Sequence, residues 1–222
     1  MVQAVLFDMD GTVFDTETIY RRGWIRAAKA VGFDVDMEDF FRNVCGLNMN
    51  DITAYVYRTY GEDTPFEKIR ELRRIYLDEE LKEGGLPLKE GVPSVLYALK
   101  EKGIKIALVT SSGPILVGRY LQMSGLDGVF DVIMTGNQVE HSKPHPEIFL
   151  KAAELLGIAP KSCVVVEDSP NGVRAGHAAG MYTVMVPDLH PCTAELRPLL
   201  WHLCDTLTDL LPLIDFENKK VN

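Results

Sequence analysis

A doubly wound, mainly parallel α/β core carrying an all-α insertion is the fold that this 222-residue sequence predicts. Three observations point there. Short continuous apolar runs recur, as expected of strands buried on both faces. Helical patterns that stop at a glycine separate the later runs. One long stretch, residues 16–84, interrupts the alternation and holds no convincing strand.

In chain order, the first run is AVLFD (4–8), which leads straight into DMDGT (8–12). The insertion follows. There Tyr20, Trp24, Ala27 or Ala28, and Val31 repeat at helical spacing. Thr64-Pro65-Phe66-Glu67 reads as a capping box with proline at the first helical position, opening a helix that reaches about Lys82. The expectation is four short helices that return to the core through GGLPLKEGV (84–92), with hinges near 13–18 and 84–90. A helix over 92–102 then stops at Gly103, ahead of the run IKIALVT (104–110). Thr110-Ser111-Ser112-Gly113 leads into a helix starting near Pro114. The run DVIMTG (131–136) comes next, and a helix over 146–156 ends at Gly157. After CVVVED (163–168), a helix over 171–179 ends at Gly180, and YTVMVP (182–187) is the last run. Alternation of this kind is the mark of an α/β core. The expected division is residues 1–15 and 85–222 for the core and 16–84 for the helical domain.

Bulk properties narrow the function. The net charge is −9 with no basic stripe, which argues against nucleic acid as a partner. No run approaches the roughly 18 apolar residues that span a bilayer. The opening MVQAVLF has no basic region and no small-residue cleavage site, so the expectation is a cytoplasmic protein without a signal peptide. Cys45, Cys163, Cys192 and Cys204 form no C-x-x-C pair. His190-x-Cys192 and His202-x-Cys204 match no zinc spacing, and Pro191 and Pro198 break up that region. His141 and His145 are four apart, but Pro144 between them forbids a helical zinc pair.

In an α/β sheet, ligands gather at the carboxyl ends of the strands. Those ends here carry Asp8 and Asp10, then Thr110 and Ser111, then Lys143, then Glu167 and Asp168. Side chains two apart on a strand point the same way, so Asp8 and Asp10 can share a site while Met9 faces away. Gly11 permits the positive φ of a sharp exit. Converging carboxylates repel one another unless a hard divalent cation joins them, and Mg²⁺ is the usual occupant. A lysine in the same place implies an anion touching both metal and ammonium. Hydroxyls and a helix N-terminus at Pro114 add anion donors. Together these features describe a site for a phosphoryl group. Glu167-Asp168 has a plainer use as well, since Asp168 or Ser169 suits an N-cap before Pro170.

DMDGT, VTSS, SKPHPEIF and VVEDSPNG, in that order, resemble the four motifs of the haloacid dehalogenase superfamily. The helical insertion is similar to the cap of its β-phosphoglucomutase-like subfamily, and the resemblance covers essentially the whole chain. It implies a Rossmann-like core and phosphoryl transfer. Asp8 would be the nucleophile that becomes an aspartyl phosphate, and Asp10 the acid that protonates the leaving alcohol, then the base that activates water. Mg²⁺ would be held by Asp8, the backbone carbonyl of Asp10, Asp168, and Glu167 directly or through water. Thr110, the Ser111 backbone and Lys143 would neutralise the phosphoryl oxygens. The implied substrate is a small phosphate ester, a sugar phosphate or a relative of one, and the implied state is a monomer. Tyr20 and Asn48 are candidate cap contacts, with Trp24, Leu47, Arg73 and Arg74 beside them. Asp10 argues against dehalogenation, which needs no leaving-group proton. Tyr20 stands where mutases of the subfamily carry a cap histidine, and Gly46-Leu47-Asn48-Met49 lacks their arginine. Hydrolysis is therefore the expectation. A phosphosugar mutase is the alternative, and a phosphate-binding regulator without catalysis is a third reading that the intact Asp8 and Asp10 oppose.

Overall fold

The structure, a computed structural model, describes residues 1–44 and 47–220; Cys45 and Gly46, and the expectations that fall on them, lie outside the described residues. Six strands form one parallel sheet in the order β3-β2-β1-β4-β5-β6. They are β1 (Ala4–Phe7), β2 (Lys105–Val109), β3 (Val132–Met134), β4 (Cys163–Glu167), β5 (Tyr182–Met185) and β6 (His202–Leu203). Every residue of β1 and β4 is buried, as central parallel strands require. Val5 and Phe7 pack into one apolar cluster, Ala4 and Leu6 into the cluster on the other face.

The insertion supplies four helices, α1 (Glu17–Ala30), α2 (Met37–Val44), α3 (Met49–Tyr60) and α4 (Phe66–Gly84). Among the core's helices, α5 (Val92–Glu101), α6 (Pro114–Ser124) and α9 (Leu210–Lys219) pack on the Val5–Phe7 face. On the other face lie α7 (Glu147–Leu156) and α8 (Pro170–Ala178). The expected strands and interstrand helices are all present. β6 and α9 were not anticipated: β6 has two residues on the sheet edge, too few for a periodic signal.

The insertion has a core of its own. Trp24 stacks on Phe66 with ring centroids 5.7 Å apart and meets the Phe40 edge at 5.5 Å. Ala27, Val56 and Ile69 close the cluster. Two expectations need correction. α4, at 19 residues, is not short. The Thr64–Glu67 capping box does not form: the helix starts one residue later, with Pro65 at the cap, and the Glu67 carboxylate accepts from Arg70 instead. The segments entering and leaving the insertion run side by side, with Asp15 N–H donating to Pro87 O and Lys89 N–H to Val13 O. Ile19, Leu77 and Leu81 join the main core cluster, so the insertion sits over the carboxyl ends of the strands. No described helix is long and apolar enough to cross a membrane. Cys163, Cys192 and Cys204 are free thiols.

Candidate active site

Asp8 leaves the end of β1 with its N–H on Val166 O, so the sheet itself fixes where the carboxylate points. Lys143, from the loop after β3, is almost fully buried and reaches Asp8 Oδ1 at 2.5 Å and Glu167 Oε1 at 2.6 Å. Burial alone would lower the Lys143 pKa, but the two carboxylates overcome it and raise it, so the ammonium stays charged. Glu167, at the end of β4, is held on its other oxygen by Asp168 N–H, Ser169 N–H and Ser169 Oγ. Ser169 also caps α8, accepting from Gly172 N–H. The plainer capping role and the charge cluster therefore coexist in one turn.

Two glycines make this closeness possible. A Cβ on Gly172 would come within 1.8 Å of the Glu167 carboxylate. Gly11 has a φ of +82°, and a Cβ there would lie 2.3 Å from Asp168 Oδ2.

Asp8, Glu167 and Asp168, all buried, each present a carboxylate oxygen within 4.8 Å of the others. Burial pushes Asp8 well above the usual carboxylate range; Lys143 opposes that, and Glu167 adds to it. Asp168 is pushed up likewise by burial, then by Glu167 and Asp8. One lysine thus leaves uncompensated negative charge in a cluster of oxygen donors, which is the setting a hard divalent cation fits. No other such cluster exists among the described residues. His190, drawn above with Cys192, instead lines the cavity described next. The His141 and His145 rings lie 4.7 Å apart, beside a second hollow next to Lys143.

Asp10 has different surroundings. Thr16 Oγ1 donates to one of its oxygens at 2.7 Å and Ser112 Oγ to the other at 2.9 Å. Burial raises its pKa, while the hydroxyls of Thr16, Tyr20 and Ser112 and the charge of Arg73 pull against that. Tyr20 OH also meets Tyr120 OH at 3.1 Å, joining α1 to α6. Thr110 Oγ1 accepts from Ser112 N–H and shapes the turn into α6. Thr16 and Ser112 were not anticipated as partners of Asp10. Their only signal was position, in DGTVFDT and in the second serine of VTSS.

These groups line a cavity of about 220 Å³ between sheet and insertion. Asp8, Asp10, Thr110, Ser111 and Asp168 line the sheet side, and Glu17 and Tyr20 the start of α1. Trp24, Phe41, Val44, Leu47, Met49, Ile52 and Arg73 form the far wall. Of the candidate cap contacts, Tyr20, Trp24, Leu47 and Arg73 reach the cavity. Asn48 does not: its side-chain oxygen accepts from Asp51 N–H and caps α3. Arg74 is exposed and lies off the wall.

The profile of the haloacid dehalogenase-like hydrolase family matches residues 5–186, a stretch that contains Asp8, Asp10, Thr110, Ser111, Lys143, Glu167 and Asp168. This chain belongs to the haloacid dehalogenase-like hydrolases. It is similar to hexitol phosphatase B of Escherichia coli strain K12, 30% identical over 186 residues covering 84% of each chain. It also resembles a phosphorylated carbohydrates phosphatase of Thermotoga maritima, 34% identical over 184 residues, 81% of this chain and 82% of that one. Among solved structures, a β-phosphoglucomutase from Clostridium difficile superposes with a TM-score of 0.81 at 26% identity, covering 100% of this chain and 99% of that one. CbbY from Rhodobacter sphaeroides, solved with phosphate, gives 0.77 at 27% identity, covering 93% and 95%. The chain is thus an enzyme of the hydrolase class with phosphatases among its relatives.

Proposed function

We propose that this hydrolase is a Mg²⁺-dependent phosphatase of a small phosphorylated metabolite, a sugar phosphate or related phosphomonoester, working through an aspartyl phosphate. One observation carries the reading. Two carboxylates two residues apart stand in opposed surroundings, Asp8 against a buried ammonium and Asp10 against hydroxyls. The ammonium favours the charged form that Asp8 needs as nucleophile, and burial favours the neutral form that Asp10 needs as acid.

In this reading an Asp8 oxygen attacks phosphorus and the bond to the ester oxygen breaks. Asp10, whose protonated form burial favours, passes its proton to the departing alkoxide. The Asp10 carboxylate then takes a proton from water as the water attacks the aspartyl phosphate, releasing inorganic phosphate and restoring Asp8. Thr16 and Ser112 hold Asp10 in place for both steps. Lys143, Thr110 and the Ser111 backbone neutralise the phosphoryl oxygens. Asp8, Asp168, the Asp10 backbone carbonyl and Glu167, directly or through water, would hold Mg²⁺, which supplies charge neutralisation when bound. The Asp10 side chain, occupied by two hydroxyls, is left for proton transfer.

Residues 16–84 act as a cap domain over a core of residues 1–15 and 85–222, with the paired segments near 13–15 and 87–89 as the hinge. A monomeric cytoplasmic enzyme goes with this reading. The test is phosphate release from a panel of phosphate esters with Mg²⁺ and with excess chelator. We expect release only with Mg²⁺, and its loss in Asp8→Asn with the fold intact by circular dichroism. Full activity in chelator, or a wild-type rate in Asp8→Asn, would refute it. The likeness to a β-phosphoglucomutase keeps a mutase as the second reading, distinguished by a requirement for a bisphosphate activator.

A further inference from the structure

Helices α1 and α4 carry six arginines, and four of them are ion-paired. Arg21 pairs with Glu38, Arg22 with Glu80 at 2.6 Å, Arg26 with Glu79 at 2.9 Å and Arg70 with Glu67 at 2.8 Å. Arg74 is exposed to solvent. Arg73 differs from all of these. Like Arg21 it lines the cavity, but it makes no ion pair or hydrogen bond among the described residues, and its Nε is buried without an acceptor.

Its guanidinium lies 4.9 Å from the ring centroid of Tyr20 and 4.8 Å from that of Trp24. Aromatic faces attract the cation but accept none of its in-plane N–H groups. A half-buried guanidinium whose Nε lacks an acceptor, fixed against two rings, is set for an oxyanion that takes two hydrogen bonds at once. That anion is not the reacting phosphoryl group, which belongs with Lys143 and the sheet. It is a second charge on the same substrate, presented to the cap.

The neighbouring wall agrees. Phe41, Val44, Leu47, Met49 and Ile52 offer no polar side-chain atom apart from the Met49 sulfur, so a polyol placed there would bury hydroxyls without partners. A neutral, heavily hydroxylated leaving group fits this wall poorly. An anionic one with few hydroxyls fits it well. In the rest of the cavity Asp8, Asp10, Glu17 and Asp168 outnumber Arg21, which is already paired with Glu38, so such an anion needs a cation of its own.

We propose that Arg73, held against Tyr20 and Trp24, is the anion-binding residue of the cap, and that the preferred substrate is a phosphomonoester whose leaving alcohol carries a second anionic group, a carboxylate or another phosphate. The proposal rests on the phosphatase reading of this cavity. Its test uses matched pairs. Glycerol 3-phosphate is set against 3-phosphoglycerate, and fructose 6-phosphate against fructose 1,6-bisphosphate, each with Mg²⁺ on wild type, Arg73→Gln and Arg73→Lys. Wild type should favour the more anionic member of at least one pair by about tenfold in kcat/KM, the scale of one charge-assisted hydrogen bond. In Arg73→Gln that ratio should fall about tenfold, through KM. Arg73→Lys should retain part of it, and carries the test if the glutamine variant melts early. The pair that responds identifies the anion as carboxylate or phosphate. Absence of any preference in wild type, or a ratio unchanged within about twofold in both variants, overturns the subsite while leaving the phosphatase reading intact. No release of phosphate from the four esters or from any other ester tried would instead fail the phosphatase reading, and the subsite with it.

Discussion

The two walls of the cavity are built on opposite physical plans. On the sheet side, charge is concentrated and interlocked, with Lys143 joining Asp8 to Glu167 and Ser169 holding the far oxygen of Glu167. On the cap side, the cohesion is aromatic and aliphatic packing around Trp24, Phe40 and Phe66, with Arg73 unpaired among the described residues. Charge interactions in a buried site depend steeply on distance and on every partner being present. Apolar packing tolerates substitution so long as volume is kept. The sheet side is thus suited to a fixed reaction, and the cap to changing its substrate. The same contrast orders the effects of mutation.

The largest effect should come from breaking the sheet-side network at its centre. Lys143→Met removes the only ammonium in contact with Asp8 and Glu167 among the described residues while roughly keeping the volume. Two buried carboxylates are then left facing each other, a situation that costs about 3–5 kcal/mol when a buried pair loses one partner. Phosphate release should drop by about a thousandfold or more, because the phosphoryl charge loses its fixed counterion. Mg²⁺ should raise the melting temperature of the variant more than that of the wild type, as the cation becomes the sole positive charge there. Differential scanning fluorimetry with and without Mg²⁺, beside a phosphate-release assay, checks both. A variant as active as wild type would show that Lys143 is only a structural counterion.

How far this network was legible in the sequence depends on the range of each interaction. Asp8, Glu167 and Asp168 could be found because each closes an apolar run, and strand ends converge whatever lies between them; Lys143, in the loop beyond its run, stood out by its place in SKPHPEIF. The partners of Asp10 could not. Ser112 reaches it across 102 residues, and Thr16 reaches it only because the chain turns back immediately after Gly11. Nor could the sequence say that Asn48 would spend its side chain on its own helix, since an asparagine ahead of a helix suits a cap and a ligand contact equally. The Thr64 capping box failed for a related reason: a local motif gave way by one residue to the placement of Phe66 in the cap core. Arg73 could be named as a candidate, but its isolation among paired arginines exists only in three dimensions.

Glu17 lies where the two walls meet, and a smaller effect there would sharpen the comparison. Its pKa is pushed from 4.5 up to about 7, chiefly by burial, with Asp10 and Asp188 adding repulsion and Arg21 and Arg73 opposing it. Between those two values the folded chain binds more protons than the unfolded one. Stability should therefore fall as pH rises through that window. With the site kept metal-free by chelator, Glu17→Gln should be more stable than wild type at pH 8, by about 2 kcal/mol after allowance for partial solvent screening. At pH 4 the advantage should vanish, because both chains are then neutral at this position. Urea titrations of the two proteins at both pH values decide it. An advantage of equal size at both would assign the effect to packing.

The smallest effect should fall on the cap, away from the cavity wall. Asn48 accepts from Asp51 N–H at 3.0 Å and so satisfies one of the open donors at the start of α3. Asn48→Ala removes that bond and should cost about 1 kcal/mol of stability, the usual size of an N-cap. Leu47 and Met49 on either side line the cavity and are untouched, so the ranking among phosphate esters should persist with modest changes in KM. Tyr20→Phe makes the useful contrast. It keeps the ring beneath Arg73 but deletes the hydroxyl that meets Tyr120 and Asp10, so it should lower kcat on every ester while leaving stability close to wild type. Thermal melts and one ester panel on both variants separate the two cases. If Asn48→Ala reorders the panel while the melt is unmoved, Asn48 leaves its cap to meet substrate when the cap closes, and the division between a reacting wall and a packed wall would have to admit a polar contact on the cap.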